Sequence, residues 1–408
     1  MKRRLVWAGS LITAALVVGS CGGGGGSTPT PAPAPGPGGS ADDDARRAVL
    51  ADLGEDLILP VLRALDTRAQ ALSAAVDALA AAPADAAART AAQAGWRSAM
   101  TEVQRADVLQ IGPGAFVTDP GGRGLRLKIY SFPQFNACGI HSAAYADQAV
   151  DDATPLDRTG MGAVEYLLFA DADDAACPPA GGVDGQAKRA QHAARLVRRI
   201  AEVATQLRNA WEPAGGNFLA QLSTAGSGSM TFSTPQMAMD ALASAIFYFE
   251  KQTKDRKTSA PTGITAAEVV ECPTVSCPHL AESPYARHSL ENIQANTQTF
   301  REVFTGVDGG RGLNALMEGV GRGDLATRFL TQITQAQDAE AALPTDFETA
   351  VAAIGDRQQC VTAAANRTGL PAVCAMQGLI DEVTDTLRAE VVSTLNLRIP
   401  DYAAGDND

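Results

Sequence analysis

The chain is 408 residues long, 46% hydrophobic and 19% charged, with a formal net charge of −13. That length supports a large core and more than one domain. An acidic chain without a basic block argues against a nucleic-acid partner, because neutralising phosphates takes clustered Lys and Arg. Four histidines, His141, His192, His279 and His288, are too few for a His-rich metal store.

At the N-terminus, Lys2, Arg3 and Arg4 precede an apolar run from Leu5 to Val18 that is short for a membrane span. Small residues and then Cys21 follow, the pattern of a bacterial lipoprotein signal. Cleavage of residues 1–20 would leave Cys21 to carry lipid and would remove the only basic cluster at that end. An ordinary secretory signal with an incidental cysteine is the alternative. Residues 22–40, GGGGGSTPTPAPAPGPGGS, cannot bury apolar surface, so 21–40 reads as a lipidated tether. The expectation is a protein anchored in the cell envelope through Cys21 and facing the periplasm. Gly22, where Asp would signal inner-membrane retention, favours the outer membrane. Export also sets the redox state. Cys138, Cys177, Cys272, Cys277, Cys360 and Cys374 remain, and an even number in an oxidising compartment argues for disulfides. Nearest neighbours would pair as 138–177, 272–277 and 360–374. Cys272, Cys277 and His279 suggest zinc as an alternative, but no fourth ligand is evident.

From Ala41 onward the periodicity is helical. A first stretch, 43–81, carries Leu50, Leu53, Leu57 and Val61, and Pro60 should kink or divide it. A second runs from Pro83 through Trp96 to about Gln110, closed by Gly112-Pro113-Gly114. Residues 114–158 look irregular and are too many for a simple connector, so they should shape a surface or a site. Helices follow at 160–170 and 185–212. A Gly/Ser-rich break at 225–229 divides the chain into domains of 41–225 and 226–408. Beyond it, helices are expected from Pro235 to about Arg256, through a face of Leu290, Ile293, Thr297, Phe300 and Phe304, and at 322–341, 345–355 and 357–389. No useful strand alternation appears. The fold class is therefore all-α, as two helical bundles with a cleft between them.

Two acids sit on apolar helix faces. In Gly160-Met-Gly-Ala-Val-Glu165-Tyr-Leu-Leu-Phe169, Glu165 has Met161 one turn before it and Leu168 and Phe169 one turn after, while Gly162 leaves space beside the carboxylate. Such a Glu is either buried with a partner, lines a cavity with a raised pKa, or reaches water along its stem. Trp96, Met100, Val103 and Asp107 likewise share one face, and an Asp there needs hydrogen bonds, a cation or a metal. Inward acids from different helices are how carboxylate metal sites are built, though nothing in the sequence makes these two face each other.

The segment TGMGAVEYLLF resembles the signature of the imelysin (M75 peptidase-like) family, Gly-x-His-x-x-Glu followed by an apolar run. WRSAMTEVQRADVLQIGP at 96–113, KDRKTSAPTG at 254–263 and AESPYARHSLENIQANTQTFREVFTG at 281–306 are similar to further segments of that family, so the resemblance covers roughly 45–395. It implies an exported, all-helical, often lipid-anchored protein with a site between two bundles and a link to iron acquisition. Carried over by position, Gly160 and Glu165 match the motif, and Gly162 stands where the family has histidine. His and Glu three apart share a helix face and a metal; glycine supplies no ligand. The resemblance also implies a cleft containing Asp107, Lys257, Glu282, Ser283 and Ser289, with Pro261 and Gly263 nearby. His141 stands as a stand-in ligand or, more simply, a surface or capping histidine. Bland readings exist too: Lys254, Arg256 and Lys257 suit a helix C-terminus, and Ser283-Pro284 suits a helix start. A metal set of Asp107, His141 and Glu165, holding iron or another divalent ion, follows from the same comparison. The function expected is an envelope protein that binds a ligand or metal in its cleft as an iron-uptake component. An M75-type metallopeptidase, with Glu165 as its catalytic residue, is one alternative. Against it, zinc peptidases need three ligands and a base, and no His-Glu-x-x-His is present. A non-catalytic interaction lipoprotein with a degenerate site is the other.

Overall fold

The computed structural model describes residues 40–170, 177, 185–264 and 272–404. The signal segment, Cys21 and the tether up to residue 39 lie outside the described residues. Within them the protein is all helical, with no strand.

Local chemistry sets the helix ends. Helix α1 (Ser40–Asp52) runs through a π-helical turn at Leu53–Ile58 into α2 (Leu59–Ala81). Pro60 sits in the first turn of α2, so the widened turn absorbs the amide it cannot donate. Asp85 caps α3 (Ala86–Asp107) by accepting from the amides of Ala87 and Ala88 at 2.8 and 3.3 Å. The stretch expected to be irregular instead holds two short helices, α4 (Leu125–Ile129) and α5 (Ala137–Tyr145). Neither is long enough to show a clear 3.6-residue pattern. Helix α6 (Gly160–Phe169) carries the Gly/Glu segment, and α7 (Gly185–Trp211) follows.

After α8 (Phe218–Ser223) and a turn at 224–229, Thr234 caps α9 (Pro235–Ile246) through its side chain, with Pro235 at the first turn. The expected helix continues in a different form, an 11-residue π-helical segment at Phe249–Ser259, and closes with α10 (Ala260–Thr262). Helix α11 (Ser289–Thr305) buries Ile293, Thr297, Phe300 and Phe304. Its first residue is Ser289, so Ser283-Pro284 does not open it. Next come α12 (Leu313–Gly319), not expected from the sequence, α13 (Gly323–Ala341) and α14 (Phe347–Ala352). The single run expected at 357–389 is divided into α15 (Arg357–Val361) and α16 (Ala372–Thr386). Gly369 at positive φ and Pro371 at the N-cap break it. A final short helix, α17 (Val392–Leu395), follows a π-helical turn.

Helix α2 packs against α3 and α7, α6 against α7 and α3, and α13 against α16. Residues 40–408 make one compact unit, in which helices from either side of 225–229 meet: α3 packs on α11, and α1 on α9 and α12. The Trp96 indole donates to the carbonyl of Met161 at 2.9 Å, fixing α3 against the start of α6. Disulfides join Cys138 to Cys177, Cys272 to Cys277 and Cys360 to Cys374. The second of these uses both cysteines of the suggested zinc pattern. The architecture brings α3, α6, the π-helical segment and the loop at 281–288 to one place.

Candidate functional site

The buried acid on α3 is fully matched. Both oxygens of Asp107 accept from the Arg126 guanidinium, Oδ1 at 2.7 Å and Oδ2 at 2.9 Å, and Oδ2 also accepts from the Tyr248 hydroxyl at 2.8 Å. All three residues are buried. This is a closed bidentate pair.

Beside it lies a second polar cluster. Lys257, on the π-helical segment, is wholly buried and stands 3.0 Å from Glu282 Oε1. Its ammonium also donates to Oε1 of Gln104 and to Oδ1 of Asn296. Glu282 Oε1 further accepts from Gln104 Nε2 at 2.8 Å and from the Tyr130 hydroxyl at 2.9 Å. Burial pushes the Lys257 ammonium down, against the pull of Glu282. Burial, with Glu282 and Glu165 nearby, pushes the Tyr130 phenol well up. Glu282 Oε2 is buried with no hydrogen-bond partner among the described residues.

Glu165 is buried on α6, and its Oε1 accepts from the backbone amides of Tyr285 and Ala286, each at 3.0 Å. Its Oε2 receives no hydrogen bond among the described residues. Burial raises its pKa to about 8; the two amides oppose the rise, and Glu282 and Glu348 add to it. A cavity of about 270 Å³ opens here, lined in part by Gly162, Glu165, Glu282, Arg256 and His279. Tyr130, Phe132, Phe135 and Tyr285 form aromatic walls. A Cβ on Gly162 would stand 3.8 Å from both Phe135 and Tyr130, so the space beside this glycine is real.

The residues expected in a site thus fall into different places. Gly162, Glu165 and Glu282 line the cavity, and Lys257 supports Glu282 from behind it. Gly160 is a backbone position: its φ is +75°, and a Cβ there would lie 2.8 Å from the carbonyl oxygen of Ile129. Ser283 and Ser289 pin the loop. The Ser283 amide donates to Ser289 Oγ at 2.9 Å, and the Ser289 hydroxyl donates to Glu348. His141 is buried on α5, with its ring 4.6 Å from that of Tyr145, and so is neither a surface nor a loop residue. It does not line the cavity.

Asp107, His141 and Glu165 do not converge. Among the described residues no three His, Cys, Asp or Glu side chains lie close enough together to hold a metal ion. The cavity offers two carboxylates, one of them already bonded to an ammonium, and His279, which does not come close enough to them to complete a metal site among the described residues. Sequence reasoning missed Arg126 and Tyr130, which no helical pattern marks, and Tyr248, which lies in the helix expected from Pro235 to about Arg256. It also gave Arg256 only a helix-end role and Tyr285 none, although both lie in segments with the family resemblance.

Residues 58–371 match the family model Peptidase_M75, described as imelysin. Among solved structures, an imelysin-like protein from Psychrobacter arcticum 273-4 aligns with TM-score 0.64 and 13% identity, over 88% of this chain and 98% of that one. A protein from Parabacteroides distasonis ATCC 8503, described as an iron-regulated protein A precursor, aligns with TM-score 0.61 and 17% identity, over 84% of this chain and 95% of that one. At such identities these neighbours establish the fold. No curated protein matches the chain.

Proposed function

Because the chain belongs to the imelysin family, we propose that it is an envelope binding protein, held to a membrane through Cys21, whose cavity at Gly162 and Glu165 takes a small ligand in a process tied to iron supply. One observation carries the reading: the family-like segment GMGAVE itself forms a wall of the cavity, Gly162 leaving the space and Glu165 lining it. Burial of polar groups that lack partners is costly unless a ligand or water completes them, and such groups gather in binding cavities. The iron link draws on the family and on the name of the Parabacteroides neighbour. The lipid anchor draws on the pattern of residues 1–40. With no third donor among the described residues close enough to Glu165 and Glu282 to share a metal ion, though His279 lines the same cavity, an organic ligand suits it better than a bare metal ion. Peptidase chemistry of the zinc type would need that third donor as well.

The test is a thermal-shift screen of iron salts, other divalent ions and small organic solutes against the wild type and Gly162→Leu, whose side chain projects into the cavity. The reading expects a solute that raises the wild-type Tm and leaves the variant unmoved. It is lost if every stabilising solute acts equally on both.

A further inference from the structure

We propose that the cavity takes a zwitterionic α-amino acid with a large apolar or aromatic side chain, its ammonium held by Glu165 and its carboxylate by Arg256. This rests on the binding reading above and names the class of ligand. Three independent features converge on it.

First, Glu165 lines the cavity with a carboxylate oxygen, Oε2, that receives no hydrogen bond among the described residues. Both backbone amides that reach Glu165 fall on its Oε1, while the Glu282 side chain is wholly buried and presents no surface to the cavity. A primary ammonium brings three donors and a positive charge, enough to bond Glu165 and to favour its ionised form. Lys257 already matches the charge of Glu282.

Second, Arg256 lines the same cavity, is only half-buried, and has no hydrogen bond or ion pair among the described residues. The basic groups around it are engaged: Lys257 with Glu282, Arg126 with Asp107 and Lys254 with Asp255. A free guanidinium presents a planar fork that matches a carboxylate. A carboxyl that a ligand ammonium would ionise, together with an unmatched guanidinium, is complementary to a ligand carrying both charges.

Third, the walls are aromatic. Tyr130 stacks with Phe132 at 6.1 Å between ring centres, and Phe135 lies 6.0 Å from Tyr285. Such faces favour an apolar or aromatic side chain and attract a nearby cation. The volume of about 270 Å³ falls just under the roughly 300–1,000 Å³ of sites for drug-sized molecules, which suits one amino acid better than a peptide.

Calorimetric titration of the full chain with L-phenylalanine, L-phenylalaninamide and N-acetyl-L-phenylalanine tests each part. L-phenylalanine is expected to bind wild type and not Gly162→Leu. N-acetyl-L-phenylalanine, lacking the ammonium, is expected not to bind. Arg256→Gln should weaken L-phenylalanine by about tenfold or more, from the loss of a charge-assisted bond, and leave L-phenylalaninamide within about twofold. Arg256 makes no side-chain bond among the described residues, so this variant should keep its Tm. The proposal is overturned if N-acetyl-L-phenylalanine binds as tightly as L-phenylalanine, if Arg256→Gln changes neither ligand, or if L-phenylalanine does not bind. Should L-phenylalanine fail while another solute stabilises wild type and not Gly162→Leu, this inference falls and the binding reading stands.

Discussion

Asp107 and Glu165 are both buried acids, on packed neighbours α3 and α6, and their surroundings differ in kind. Asp107 meets a bidentate guanidinium and a phenol, so its charge and its lone pairs are matched. Glu165 meets two amides on one oxygen, a second carboxylate nearby and a cavity. Burial of a carboxylate therefore does not mark a binding site by itself. Unfilled bonding capacity beside empty space does.

Breaking the closed pair should have the largest effect. Asp107→Ala leaves the Arg126 guanidinium buried and unpaired, and a cost of about 3–5 kcal/mol is expected in urea unfolding. Glu165→Gln keeps an acceptor for the two amides and replaces a carboxyl that burial already holds largely protonated at pH 7, so it should cost far less there. Equal losses in the two variants would erase the distinction between them.

Proton linkage sharpens the same contrast. Burial raises Glu165 and Glu340 to about 8, from a usual value near 4.5. Between those values the folded protein keeps protons that the unfolded chain has lost. Stability should therefore fall as pH rises through that window and level off above it. Glu340, beside the Thr297 hydroxyl and otherwise desolvated, is the cleaner probe. Glu340→Gln is expected to gain on the order of 3 kcal/mol over wild type at pH 9 and close to nothing at pH 4.5. A gain independent of pH would show that Glu340 does not titrate in the window.

Much of this was legible in the sequence, and the rest was not for physical reasons. Helical spacing located α3, α6 and α11, because each buries a continuous face. The apolar setting of Glu165 and the gap at Gly162 were visible from neighbours one turn away. Arg126 and Tyr130 were invisible because α4 has five residues and no period to read. The same spacing that brought out Asp107 could not say that an arginine nineteen residues later would neutralise it. Nor could it separate Gly160 from Gly162, which look alike in the string GMG and act differently.

That pair makes the next comparison. Gly160 has φ +75° and no room for a Cβ, with the Ile129 carbonyl oxygen 2.8 Å away. Gly160→Ala is expected to cost about 1–3 kcal/mol through backbone strain and that contact, read as a lower urea midpoint at unchanged slope.

Gly162 should move the other way, and by less. It lies inside α6, and an added Cβ would find only ordinary contacts, 3.8 Å to Phe135 and to Tyr130. Alanine loses less conformational freedom on folding into a helix, which favours Gly162→Ala by about 0.5–1 kcal/mol. The one methyl takes little of the cavity, so ligand binding should survive it where Gly162→Leu abolishes binding. A chain whose stability would rise with alanine here carries glycine at the expense of its own helix. What glycine contributes in return is the space beside Glu165. If Gly162→Ala instead destabilises the fold, α6 has no spare room at this position, and the cavity loses the wall on which the binding reading stands.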